Sequence, residues 1–90
     1  MYIEFTPNGW EDFNSWMETD ITYAIKIKEL LSSIQQDPFR GIGKPEPLKH
    51  QLKGFWSRRI TQEHRLIYKI SGKKGVDQKC TIVQCKYHYT

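Results

Sequence analysis

Apolar residues recur with two different periods along the first half of the chain. Tyr2–Phe5 alternates apolar and polar positions, as a short strand does. Helical spacing follows and predicts a first helix from about Asn8 to Met17, with apolar positions at Trp10, Phe13 and Met17. The chain therefore begins with a strand that leads directly into a helix.

A longer amphipathic helix comes next. Thr19 and Asp20 can cap its first turn, and Pro38 ends it because proline disfavours helix at the preceding Asp37. Ile25 and Leu30 widen its apolar face, which consists of Ile21, Ala24, Ile27, Leu31 and Ile34. This face predicts a helix that packs against a sheet.

Residues 39–50 show no usable periodicity and contain two glycines and two prolines. A loop from Phe39 to His50 is long for so small a chain, and such loops often carry function. Pro45 and Pro47 stiffen the backbone on both sides of Glu46. Glu46 is therefore a candidate functional carboxylate, with an ordinary exposed acid as the alternative.

The second half reads as a run of strands. A polar hairpin connection, Ser71–Gln78, precedes the last of them, and the strands are expected near Gln51–Trp56, Ser57–Thr61, His64–Ser71 and Lys79–His88. One strand, two helices and then several strands predict an α+β fold. Two N-terminal helices would pack on a mainly antiparallel sheet, in a single domain spanning residues 1–90.

Three arginines lie in Phe55–Tyr68, two strands around a polar turn. Guanidinium groups held on strands suit phosphate, so Arg58, Arg59 and Arg65 suggest a preorganised anion site. A three-residue turn after Ile60 would set Arg59 opposite Arg65 on one face, whereas two or four residues would separate them. The sequence leaves both registers open.

Charge is divided unevenly between the two halves of the chain. Residues 1–38 carry seven acids against two lysines, whereas residues 39–90 carry twelve basic residues against three acids, within a net charge of +4. A basic half of this kind suits a polyphosphate partner, although scattered surface lysines give the same count. We expect no membrane span, since no apolar run approaches ~18 residues. We also expect no secretory signal, and hence a cytoplasmic location.

Cys80 and Cys85 are expected to be buried free thiols. Five residues of strand would set them ~16 Å apart on opposite faces, which excludes a disulfide and disfavours a zinc site with His88. We therefore expect no metal or other cofactor.

Metal-free cleavage of RNA needs a base, a cation and an acid. Glu46, Arg65 and His88 supply these groups, and Tyr89 can stack on a base or orient the phosphate. Nothing in the sequence pairs His50 or His64 with a nucleophile, so we interpret both as structural or solvent-facing. Core positions are expected for three aromatic residues, namely Trp56, Tyr68 and Tyr87. From these residues alone, a nucleic-acid-binding domain and a metal-free ribonuclease remain equally open.

Four ordered blocks resemble the YoeB (Txe/YoeB) toxins of bacterial toxin–antitoxin modules. They are Gly43–Lys49, Leu52–Ile60, His64–Tyr68 and Tyr87–Tyr89, and the stretch from Trp10 to Asp20 is also similar to that family. The resemblance implies a RelE-like, microbial-ribonuclease-type fold and an endoribonuclease that cuts mRNA in the ribosomal A site. Two departures are Thr90 after the His-Tyr pair and a longer Ser71–Gln78 connection.

The resemblance also implies residue roles and partners. Glu46 would be the general base, His88 the general acid, Arg65 the transition-state cation and Tyr89 an orienting group. Phosphate contacts are implied for Lys44, Lys49 and Arg59. Implied partners are a YefM-like antitoxin, the 70S ribosome with its mRNA, and operator DNA through the toxin–antitoxin complex, with room for a homodimer. The alternatives are a ParE-like toxin that inhibits a protein target and a non-catalytic RNA-binding module.

Overall fold

The computed structural model describes residues 1–87, and its helices are fixed by capping side chains. Thr6 Oγ1 accepts a hydrogen bond from Gly9 N at 3.1 Å, and Asp20 Oδ1 accepts one from Thr22 N at 3.2 Å. These contacts satisfy N–H groups that the first helical turn leaves unpaired. The elements in chain order are β1 (Tyr2–Phe5), α1 (Pro7–Thr19), α2 (Ile21–Gln36), β2 (Glu46–Pro47), β3 (Phe55–Arg59), β4 (Arg65–Ser71) and β5 (Lys79–Gln84).

The two helices pack on one face of a five-stranded sheet. Its strand order is β1-β5-β4-β3-β2, with β1 parallel to β5 and every other pair antiparallel. The predicted α+β architecture, with two N-terminal helices on a mainly antiparallel sheet, is therefore confirmed. Residues 1–87 contain no helix that is both long and apolar enough to cross a membrane.

Several predicted element bounds are wrong. The strands expected at Gln51–Trp56 and Ser57–Thr61 are one strand, β3, because His50–Leu52 forms a short 3₁₀ turn and Gly54 has a φ of 97°. The expected loop from Phe39 to His50 contains β2, which pairs with β3. The last strand ends at Gln84 instead of continuing to His88.

The core lies between the helices and the sheet. It contains Trp16, Ala24, Ile27, Leu30, Ile34, Ile60, Leu66, Tyr68, Cys80, Ile82 and Cys85. Helix α1 buries Gly9 and Trp16, whereas Trp10 and Met17 are half exposed, contrary to the helical face predicted for them. A side chain at position 9 would bring its Cβ within 2.5 Å of Ile82 O, so glycine there lets α1 lie close against β5.

A bulge in β5 brings both cysteines into this core. Tyr68 pairs with Ile82 but Ile67 pairs with Gln84, so Val83 is an extra residue and reverses the alternation of side chains beyond it. Cys80 and Cys85 are therefore both fully buried and free on the helix side of the sheet. The prediction of buried free thiols is confirmed, and the prediction of opposite faces is wrong.

Burial makes both thiols weaker acids than an exposed cysteine. Burial raises the pKa of Cys80 and of Cys85 from 9.0 to about 12, mainly through loss of hydration, and the Asp12 carboxylate contributes to the rise at Cys85. Because the unfolded chain ionises first, the contribution to stability is complete below about pH 9 and is lost as the pH rises towards 12.

We therefore expect the free energy of unfolding to fall between about pH 9 and pH 12. Urea titrations monitored by circular dichroism would measure this fall. A Cys80→Ala/Cys85→Ala variant should be less stable at neutral pH but should lose less stability over the same range. An equally steep fall in that variant would assign the pH dependence to other groups, such as Tyr68, whose pKa burial also raises.

Candidate active site

The face of the sheet opposite the helices carries the predicted site residues of β2, β3 and β4. Glu46 pairs with Ser57, Ser57 pairs with Ile67, and Arg59 pairs with Arg65. Since paired residues point to the same side and alternate residues share a face, Glu46, Arg59 and Arg65 all lie on this side. A carboxylate and two guanidinium groups are thus brought together from three adjacent strands.

The turn between β3 and β4 decides this arrangement. Ile60 N donates to His64 O at 3.0 Å, which leaves three residues, 61–63, in the turn. Arg59 consequently lies directly opposite Arg65, which is the first of the two registers that the sequence left open. A cation–π contact on the same face, with Lys69 Nζ 5.6 Å from the centre of the Phe55 ring, shows the same alternation further along the strands.

Arg65 is held in place by the turn that it follows. Its Nη1 donates to Thr61 O and Gln62 O at 2.8 Å each, and to His64 O at 3.2 Å. A guanidinium group has five N–H donors, so these contacts use one nitrogen and orient the remaining ones. The side chain is half-buried, and its cation is therefore preorganised instead of mobile.

Glu46 lies in a constrained and exposed stretch of chain. Lys44 and His50, on either side of it, have positive φ values of 52° and 58°. Gly43 O accepts a hydrogen bond from Arg59 N at 2.6 Å, which attaches this stretch to β3. An open depression of about 380 Å³ lies beside Glu46 and is lined by Glu46, Pro47, Leu48, Lys49 and His50. Lys44 and Lys49 are both exposed at this edge.

Arg58 does not belong to this face, contrary to the anion site predicted from three arginines. It is fully buried on the helix side and is bound by neutral oxygens. The acceptors are Tyr68 Oη, Ser33 Oγ and the carbonyl oxygens of Ile42, Asp37 and Arg40. Arg58 therefore anchors residues 37–42 to α2 and β4. The alternation of Trp56, Arg58 and Ile60 was the sequence signal for this burial.

The chain after β5 returns to the start of β4. Tyr87 O accepts a hydrogen bond from Arg65 N at 3.1 Å, and Tyr87 N donates one to His64 Nδ1 at 2.7 Å. Tyr87 is 59% exposed, so its predicted core position is wrong, whereas Tyr68 is buried and Trp56 packs partly against the core. His88, Tyr89 and Thr90 lie outside the described residues.

His64 is buried and structural, which is one of the two roles that the sequence allowed, while His50 is exposed.

Within residues 1–87 the one ion pair joins Lys79 Nζ to Glu4 Oε1 at 3.0 Å, so no carboxylate of the described chain neutralises Arg59 or Arg65. No group of three or more His, Cys, Asp or Glu side chains that could hold a metal converges among those residues. The face is thus a cationic surface with one candidate carboxylate.

Solved structures share this fold. The YoeB/ParE toxin from Agrobacterium tumefaciens superposes with a TM-score of 0.93 and 43% identity, over 99% of this chain and 100% of that chain. A YoeB dimer from Staphylococcus aureus gives a TM-score of 0.87 and 43% identity, and a YoeB–YefM complex from that organism gives 0.86 and 41%; each covers 99% of this chain and 98% of its own. The class is therefore that of the small bacterial toxins.

Sequence comparison identifies the family. The model of the YoeB-like toxin of bacterial type II toxin–antitoxin systems matches residues 5–89. Toxin YoeB of Streptomyces coelicolor is 49% identical over 89 residues, which cover 99% of this chain and 100% of that relative. The chain belongs to the YoeB-like toxin family of type II toxin–antitoxin systems.

Proposed function

We propose that this toxin is a ribosome-dependent endoribonuclease, acting as a single domain over residues 1–90. It cuts mRNA in the ribosomal A site and thereby inhibits translation. The observation that carries the proposal is the shared position of Glu46, Arg59 and Arg65 on the helix-free face of the sheet. A plain anion-binding surface has no need for a carboxylate among its cations, whereas acid–base cleavage of a phosphodiester does.

The reaction is an attack within the RNA chain. Glu46 takes the proton of the ribose 2′-hydroxyl, and the 2′-oxygen attacks the adjacent phosphorus. The bond from phosphorus to the 5′-oxygen breaks, and His88 protonates the departing oxygen. The products are a 2′,3′-cyclic phosphate and a 5′-hydroxyl, so a substrate without the 2′-hydroxyl cannot react.

The cations have separate tasks in this mechanism. Arg65, whose Nη1 is fixed by the turn, directs its Nε and Nη2 donors to the charge that develops on the phosphorane. Arg59, Lys49 and, more weakly, Lys44 bind flanking phosphates. Tyr89 orients the substrate at the cleavage site. The reaction needs no metal or other cofactor.

The names of related toxin structures support the partners that we propose. A YefM-like antitoxin would bind this chain, as the name of the YoeB–YefM complex supports. We propose that it covers or displaces the His88–Tyr89 end. The resulting complex would bind its operator DNA. A homodimer is consistent with the YoeB dimer from Staphylococcus aureus. The 70S ribosome and its mRNA, in the cytoplasm, are the proposed target.

Primer extension on an mRNA translated with and without the toxin tests the proposal. We expect new 5′ ends at one position within codons, dependent on ribosomes, with 5′-hydroxyl termini. The His88→Ala variant should give none while remaining folded.

An absence of cleavage by the wild type would refute the nuclease, and inhibition of DNA supercoiling without RNA products would favour the ParE-like alternative. Salt-sensitive RNA binding without turnover would favour the binding module.

A further inference from the structure

Three residues follow β5 directly, Cys85, Lys86 and Tyr87. They are hydrogen-bonded to α1 and to the start of β4. Trp16 Nε1 donates to Cys85 O at 2.7 Å, and Cys85 N donates to Asp12 Oδ2 at 3.1 Å. Lys86 Nζ donates to Ser15 Oγ at 3.1 Å. These contacts hold Cys85 and Lys86 against α1. The orientation of the next residue, Tyr87, is set by the hydrogen bonds of its own backbone.

That residue, Tyr87, is held through its backbone by two consecutive residues. His64 Nδ1 accepts from its N–H at 2.7 Å, and its carbonyl accepts from Arg65 N at 3.1 Å. Tyr87 has a φ of 62°, a left-handed conformation that a residue other than glycine adopts when its surroundings impose it. The His64 bond is therefore part of what turns the chain just before His88.

We propose that His64 is a positioning residue for the cleavage reaction. By accepting the Tyr87 N–H, it fixes the backbone from which His88 and Tyr89 extend, and so sets where the general acid meets the departing oxygen. This inference rests on the proposed function. His64 itself is buried and is not expected to contact RNA.

Aromatic rings surround His64. Its ring centroid lies 4.7 Å from that of Trp16, 5.8 Å from Tyr23 and 5.2 Å from Tyr87. Because Nδ1 accepts the N–H of Tyr87, a side chain that replaces His64 must offer an acceptor at the same place to keep this contact.

Two substitutions at His64 distinguish the effect of its Nδ1 acceptor from the effect of its aromatic ring. His64→Phe keeps an aromatic ring among Trp16 and Tyr23 but removes the acceptor, whereas His64→Asn offers a carbonyl oxygen close to the place of Nδ1. Tyr23→Leu is the control, because it removes a ring neighbour of His64 and leaves the acceptor. The measurements are single-turnover cleavage on programmed ribosomes, ribosome affinity, and hydrogen exchange of the Tyr87 amide in the free protein.

We expect His64→Phe to lose protection of the Tyr87 amide and to cleave about 100-fold more slowly at unchanged ribosome affinity, since small misplacements of a reacting group have effects of this size. His64→Asn should restore both, and Tyr23→Leu should retain the cleavage rate despite lower stability. If His64→Phe does not fold, His64→Gln replaces it, because its carbonyl lies one bond farther out and misses the amide.

Wild-type cleavage by His64→Phe, or failure of His64→Asn to restore both readouts, would overturn the inference. If the wild type itself does not cleave, the proposed function fails. Protection of the Tyr87 amide in His64→Asn but not in His64→Phe would even then support His64 as the residue that fixes this segment, and equal protection in both would overturn it.

Discussion

Replacement of Glu46 by glutamine is expected to lower the rate of mRNA cleavage about 10²- to 10⁴-fold, the usual contribution of a general base. Glutamine keeps the shape of the side chain but cannot take the 2′-hydroxyl proton. Glu46 is exposed, and no hydrogen bond or ion pair reaches its carboxylate from the rest of residues 1–87. Stability should therefore stay within about 0.5 kcal/mol of the wild type.

The measurement is single-turnover primer extension on programmed ribosomes, together with urea denaturation of the free toxin. Glu29→Gln is the matched control, because Glu29 is an exposed carboxylate on α2, on the other side of the sheet. The control should cleave at the wild-type rate. If Glu46→Gln also does so, Glu46 is not the base, and the carboxylate of this face has no part in the chemistry.

The largest expected effect on stability comes from Arg58. Replacement of Arg58 by methionine removes its donors from two hydroxyl groups and three carbonyl groups. The contact with Tyr68 is buried and the other four are partly buried, and Ser33 Oγ keeps a hydrogen bond from Ile42 N. Since each buried acceptor that loses its donor costs about 1–3 kcal/mol, and several lose it together, we expect the free energy of unfolding to fall by about 3–5 kcal/mol. That loss is a large part of the stability of a small domain.

Arg59→Met provides the comparison within the same strand. Arg59 is the next residue, is exposed, and points to the opposite face. Urea denaturation monitored by circular dichroism should show a loss below about 1 kcal/mol for this variant. Arg58→Lys should fall between the two, because lysine keeps the charge but has three donors instead of five. Equal losses in Arg58→Met and Arg59→Met would contradict the role of Arg58 as an internal anchor.

Much of the fold follows from local features of the sequence. The spacing of Ala24, Ile27 and Ile34 predicted α2, and Pro38 predicted its end, because helical periodicity and the restriction before proline act within a few residues. The bounds of α1 were less accurate, since Thr6 and Asp20 set them by contacts that a count of apolar positions does not include. Order and type of the elements were therefore more predictable than their ends.

The candidate site was predictable in its residue types but not in its geometry. Glu46 and Arg65 were identified from the chemistry of RNA cleavage and from the family resemblance, and the register places both on one face. Whether Arg59 shares a face with Arg65 depended on the length of one turn. Likewise, the side of the sheet on which Cys85 lies depended on one extra residue, Val83. A turn that is one residue longer and a bulge of one residue both reverse the side to which the following side chains point.

By itself, then, the sequence determined the succession of helices and strands, the family, and the residue types available for chemistry. Tertiary structure alone decided that Arg59 lies opposite Arg65, and it alone joined His64 to Tyr87 across 23 positions of the chain. The physical reason is the range of the forces involved. Helical propensity and capping act between near neighbours, whereas strand register and the burial of a polar group are set by partners that are distant in sequence.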